Sequence, residues 1–67
     1  MFIKIGKSRI KLASIGEFRE CGQASSNQKW YIEIKISGRN RLIYFDTELE
    51  YNRVVVYLDK ALKIIEV

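Results

Sequence analysis

Apart from a short disturbance at 12–18, the hydrophobic periodicity of this 67-residue chain changes once, at Thr47. Before Thr47, apolar residues alternate with polar ones; after it, they recur three and four residues apart. A period of two belongs to half-buried strands, and a period of 3.6 to an amphipathic helix. Strands first and a helix last restrict the chain to an α+β architecture.

The alternation divides into segments. Ile3 and Ile5 alternate with Phe2 and Lys4, then Ile10 and Leu12 with Arg9 and Lys11. Gly6-Lys7 between them suits a two-residue turn with glycine first. That turn sets Ile3 opposite Ile10 and Met1 opposite Leu12, so the apolar residues share one face. Leu12, Ile15 and Phe18 recur every three residues, which a bulge near Ser14–Gly16 reconciles with a continuing strand. Gly22 through Gln28 is a polar loop with no apolar anchor, and is expected to be the most mobile segment. In 29–37, Trp30, Ile32, Ile34 and Ile36 face one way, and Tyr31, Glu33 and Lys35 the other. A turn on Gly38-Arg39 leads into 41–46, setting Ile34 opposite Ile43 and Ile32 opposite Phe45.

Thr47-Glu48-Leu49-Glu50 is a capping box. No glycine or proline follows Gly38, so nothing stops a helix over about 48–64. Tyr51, Val54, Val55, Leu58, Ala61, Leu62 and Ile65 form its apolar stripe. The expected fold is a single domain spanning 1–67. An antiparallel sheet of four to five strands (about 2–5, 9–13, 15–21, 29–37 and 41–46) carries one C-terminal helix packed on one face.

Composition removes several function classes. The chain has no His, no Pro and one Cys, Cys21. A disulfide framework needs paired cysteines, and a structural zinc site needs four Cys or His ligands. No His exists to serve as a general base, and no imidazole can activate Cys21. Gly6-Lys7-Ser8 lacks the first glycine of a P-loop and is followed by a strand. The sequence therefore points to a non-enzymatic protein without cofactor or metal. No apolar run nears the ~18 residues that cross a bilayer. The Met1–Ile5 start lacks a secretory signal. With one unpaired thiol, a reducing, cytoplasmic setting is expected. At this length core burial and chain entropy nearly cancel, so a homo-oligomer is expected as a further source of stability.

The charge is uneven. Residues 1–45 hold nine basic and three acidic side chains, against three and five in 46–67. If the helix covers one face of the sheet, the other carries Phe2, Lys4, Arg9, Lys11, Tyr31, Glu33, Lys35, Leu42 and Tyr44. Rings beside cations suit single-stranded nucleic acid, because bases stack on the rings while cations neutralise phosphates. Tyr31, Tyr44 and Phe18 are the candidate stacking residues. Lys4, Arg9, Lys11, Lys35 and Arg39 are candidates for phosphate contacts, and Lys7 and Arg41 extend the track. The same pattern also fits exposed strands guarded by Lys and paired aromatics. Leu49, Val56, Tyr57 and Ile64 fall outside the core stripe of the helix and form a candidate interface with a twin subunit or a protein partner.

The opening Phe2–Arg9, with Ile5-Gly6-Lys7-x-Arg9, Phe18-Arg19, Tyr31-Ile32-Glu33-Ile34 and Gly38-Arg39, resembles the positive cofactor four family of single-stranded-DNA-binding coactivators. That resemblance implies a homodimer of four-stranded sheets, each with one helix, binding single strands across the sheets. Lys7, Arg9, Phe18, Arg19 and Arg39 would match the family's contact positions. The chain departs from the family by two extra residues before Phe18, by an early long loop and by Trp30 at the start of the central strand. In pattern alone it is equally similar to small pleckstrin-homology-like domains. The expected function is binding of single-stranded nucleic acid, with a protein-interaction or regulatory adaptor module as the alternative.

Overall fold

The computed structural model describes residues 1–66. It is an α+β structure of five strands and one C-terminal helix: β1 Phe2–Ile5, β2 Ser8–Lys11, β3 Ile15–Gln23, β4 Trp30–Ile36, β5 Arg39–Phe45 and α1 Glu48–Ala61. The strands form two antiparallel sheets, β1-β2 and β3-β4-β5, where a single sheet was expected. The break falls where Leu12, Ile15 and Phe18 disturb the alternation. Leu12–Ser14 is a turn of 3₁₀-helix, closed by a hydrogen bond from Ser14 Oγ to the Lys11 carbonyl at 2.7 Å. It turns the chain out of β2, so β3 pairs with β4 and not with its predecessor.

The first hairpin has the register its turn dictates, with Ile3 opposite Ile10 and Lys4 opposite Arg9. Gly6 supplies the left-handed backbone at the first turn position (φ 61°). The second hairpin differs from expectation by two residues. Its turn lies on Ser37-Gly38, both at positive φ (51° and 82°), so Ile32 opposes Ile43 and Ile34 opposes Arg41. Positive φ at both positions matches the right-handed twist of a hairpin, and this offsets the strain at Ser37. A slide of two residues leaves every side chain on its expected face.

The two sheets and the helix enclose one core. Ile3, Ile5, Ile10 and Leu12 from the hairpin meet Ile32, Ile34 and Phe45 from the three-stranded sheet and Tyr51, Val55 and Leu58 from α1. Ile32, Ile34 and Leu58 are fully buried. Thr47 caps α1, its hydroxyl oxygen accepting from the Glu50 N–H at 3.2 Å. The helix ends at Ala61, three residues earlier than expected. Lys63 adopts left-handed backbone (φ 54°), the Ile64 N–H donates to the Asp59 carbonyl and the Lys63 N–H to the Lys60 carbonyl. These are the two bonds of a Schellman stop, built here without glycine. Ile65, expected on the core stripe, lies beyond the stop and is exposed. Of the Gly22–Gln28 segment, expected to be the most mobile, Gly22 and Gln23 belong to β3, and the turn that follows is closed by hydrogen bonds. The Ala24 N–H donates to the Lys29 carbonyl, and the Lys29 N–H to Asn27 Oδ1.

Tyr51 ties the helix to all three strands at one end of the three-stranded sheet. Its ring packs on Trp30 (centroids 5.2 Å apart) and on the edge of Phe45 (6.2 Å). Its hydroxyl accepts from the Gly22 N–H at 3.3 Å, where β3 loses register with β4 between Glu20 and Gly22. Burial pushes the Tyr51 phenol up, and the Gly22 bond offsets part of that rise. A raised folded-state value favours the neutral phenol in the fold. The Tyr51 contribution is therefore fully present below the unfolded-state value, about 10, and is lost as pH climbs through the higher folded one. Tyr51→Phe should cost about 1 kcal/mol at neutral pH, because the Gly22 N–H loses its partner. Denaturant melts should also show a weaker loss of stability above pH ~10 in this variant than in the parent chain.

Candidate nucleic-acid interface

The candidate residues divide between two surfaces. Partners directly opposed in a sheet share a face, so Tyr31, Glu33 and Lys35 of β4 stand with Arg19 and Glu17 of β3 and with Tyr44, Leu42 and Asn40 of β5. That face points away from Ile32, Ile34 and the helix. The hairpin packs its own isoleucines into the same core from the helix side. Phe2, Lys4, Arg9 and Lys11 therefore point out of the molecule from the hairpin and not from the sheet face of the tyrosines, and the two surfaces meet at the cleft that Lys4 and Tyr44 both line.

On the sheet face Tyr31 and Tyr44, directly opposed, stack with centroids 5.2 Å apart and planes at 24°. One face of each ring is thus occupied by the other. The cations here are matched by carboxylates. Arg19 Nη2 lies 2.6 Å from Glu33 Oε1, and the Glu33 charge pushes the Arg19 guanidinium further up, holding it charged. Lys35 stands directly opposite Glu17. Glu17, Arg19, Glu33 and Lys35 together line one small cleft and sum to zero charge. Phe18, expected as a stacking ring, opposes Ile34 and packs against the core. The irregularity at Ile15/Glu17 sets that parity; it falls where the three-residue recurrence of Leu12, Ile15 and Phe18 led to an expected bulge near Ser14–Gly16.

The hairpin is different. Residues 1–16 contain no carboxylate. Lys4, Lys7, Arg9 and Lys11 are all exposed, and none is in an ion pair among the described residues. Lys4 stands directly opposite Arg9, and Phe2, 64% exposed, opposite Lys11. Like charges directly opposed across two strands are destabilising, so this pair is not explained by the stability of the hairpin. Arg41 joins the group by a route the sequence hides: from β5 its Nη2 donates to Ser8 Oγ at 3.3 Å, beside the turn. Arg39 opposes Ile36 at the far end of β5 and is exposed on an edge strand, where charged side chains discourage edge pairing.

The helix residues also separate. Leu49, Val56 and Tyr57 share one groove on the outer face of α1, whereas Ile64 lies past the helix stop beside Ile15, Phe18 and Leu62. Among the described residues no helix is long and apolar enough to cross a membrane.

Fold and site together define a small α+β protein with a cationic hairpin packed beside a C-terminal helix; its cations form no ion pair among the described residues, and Asp46 and Glu50 line one cleft with Lys4. Comparison with known proteins gives no matching family model, no matching curated sequence and no matching solved structure.

Proposed function

We propose that this chain is a non-enzymatic module that binds single-stranded nucleic acid through the outer face of the β1–β2 hairpin. One observation carries the reading: Lys4, Lys7, Arg9 and Lys11 lie exposed together on a stretch of chain without a carboxylate, with Lys4 directly against Arg9. A bound phosphate between that pair would turn repulsion into attraction on both sides. Phe2 offers a free ring for a base beside the Lys11 charge. Arg41, held at Ser8, extends the cationic track past the turn. One copy presents the whole hairpin, so the homodimer expected from chain length is not needed for the contact. The lone thiol fits a reducing, cytoplasmic setting.

Salt dependence tests the reading. Four phosphate contacts on a single strand give a log–log slope of roughly −3 in affinity against salt. Fluorescence anisotropy of a labelled oligothymidine should show that slope. Absence of binding at low salt, or binding insensitive to salt, would exclude it.

A further inference from the structure

The outer face of α1 has no role in the core, and it meets the hairpin along one edge, where Arg53 and Tyr57 line a cleft with Phe2, Ile3 and Lys4. Leu49, Val56 and Tyr57 are 64%, 51% and 43% exposed there. With Asn52, Arg53 and Lys60 they line a single groove that no carboxylate lines, and Arg53 also lines the adjoining cleft of Lys4, Asp46 and Glu50. Neither Arg53 nor Lys60 is in an ion pair among the described residues. Positions 49, 53, 56 and 60 follow one line along the helix, about 16 Å long at the rise of an α-helix. Along it apolar and cationic side chains alternate. Core packing does not account for this stripe, because Tyr51, Val55 and Leu58 on the opposite side already fill the core.

We propose that this groove docks an acidic amphipathic helix of a partner protein. The partner's apolar residues, spaced at i, i+3 or i+4, and i+7, settle between Leu49, Val56 and Tyr57, and its carboxylates meet Arg53 and Lys60. Charge complementarity selects this occupant over two others. A second copy of the chain would bring another Arg53 and Lys60 to a seam that offers no carboxylate. A nucleic acid would satisfy the two cations but leave Leu49 and Val56 without a ring or a base edge to pair with. An apolar centre with charges at its rim is the usual anatomy of a protein interface.

The test uses the full chain and a fluorescein-labelled synthetic peptide with leucines at i, i+3 and i+7 and glutamates on its remaining face. The comparison peptide keeps the leucines and replaces each glutamate with lysine. Anisotropy should show saturable binding of the acidic peptide and at least about tenfold weaker binding of the basic one, as expected for a charge-selected interface. Arg53→Glu and Val56→Glu should each weaken the acidic peptide by about tenfold with circular dichroism unchanged, whereas Arg9→Glu should leave it unaffected. Equal affinity for the two peptides, or no binding of either, overturns the proposal. A concentration-dependent dimer in sedimentation velocity that Val56→Glu dissociates assigns the face to a second copy instead. Loss of oligothymidine binding in Arg53→Glu equal to that in Arg9→Glu assigns it to nucleic acid.

Discussion

Replacing Arg9 with Glu should weaken oligothymidine binding by about tenfold or more and, in the same protein, raise resistance to denaturant. Both effects come from one geometric fact, the direct opposition of Lys4 and Arg9 across the first hairpin. In the parent chain this pair repels, and a cross-strand charge pair contributes roughly 0.2–1 kcal/mol in either direction. Reversing one member converts the repulsion into attraction, so stability should rise by about 0.5 kcal/mol or more. The reversal also takes one cation away from the phosphates and places a negative charge where the backbone would run. Neutralising one phosphate fewer flattens the salt slope by roughly 0.7 on single strands. A purely structural role for Arg9 would move stability downward and leave the slope alone. The opposite signs of the two readouts therefore separate a binding hairpin from a merely charged one. The measurements are urea melts and anisotropy titrations at several salt concentrations, on parent and variant side by side.

Leu58→Ala should have the largest effect on the fold. Leu58 is 0% exposed and sits in the core that hairpin, sheet and helix share. Truncating a buried leucine costs roughly 2–5 kcal/mol, from the forfeited transfer energy and from the cavity left behind. A chain of 67 residues has about 3–10 kcal/mol of total stability at ordinary per-residue values. The variant's urea midpoint should therefore fall by about a fifth or more, and at the lower end of that stability range the variant is partly unfolded at physiological temperature. Val56→Ala, on the exposed side of the same helix, should change stability by no more than about 0.5 kcal/mol. Circular dichroism during urea titration of both variants checks the contrast. Equal losses at the two positions would mean that α1 does not bury the face described.

Face assignments were more legible in the sequence than pairings or sheet membership. Alternation placed Ile32, Ile34, Ile43 and Phe45 on the core face whether Ile32 opposed Phe45 or Ile43, since a slide of two residues preserves parity. The turn that decides between those registers rests on Ser37 at positive φ, a conformation that a serine side chain does not advertise. The capping box at Thr47 was legible because it is local chemistry. The helix stop at Lys63 was not, because a lysine stands where glycine would announce it. The division into two sheets depends on one 3₁₀ turn at Leu12–Ser14, visible beforehand only as a disturbed period.

That division matters most for the candidate site. The sequence showed which side chains leave the core, but not that the hairpin and the three-stranded sheet leave it on different surfaces. Tyr31 and Tyr44 were legible as outward rings, and they are outward. Their neutral surroundings were not legible, because Arg19 meets Glu33, and Glu17 meets Lys35, only through the register of β3 on β4. The hairpin's cations survived the change of architecture because their placement depends on a local turn, Gly6-Lys7. Arg41 gained a partner, Ser8, from a strand 33 residues earlier in the chain, a pairing that no local pattern contains.

The most direct test is amide chemical-shift mapping of the isotopically labelled chain with a short oligothymidine at low salt. The account predicts shifts concentrated on Phe2–Lys11, with the amides around Tyr31, Glu33 and Tyr44 unmoved. Shifts confined to Tyr31, Glu33 and Tyr44, with a silent hairpin, would contradict it.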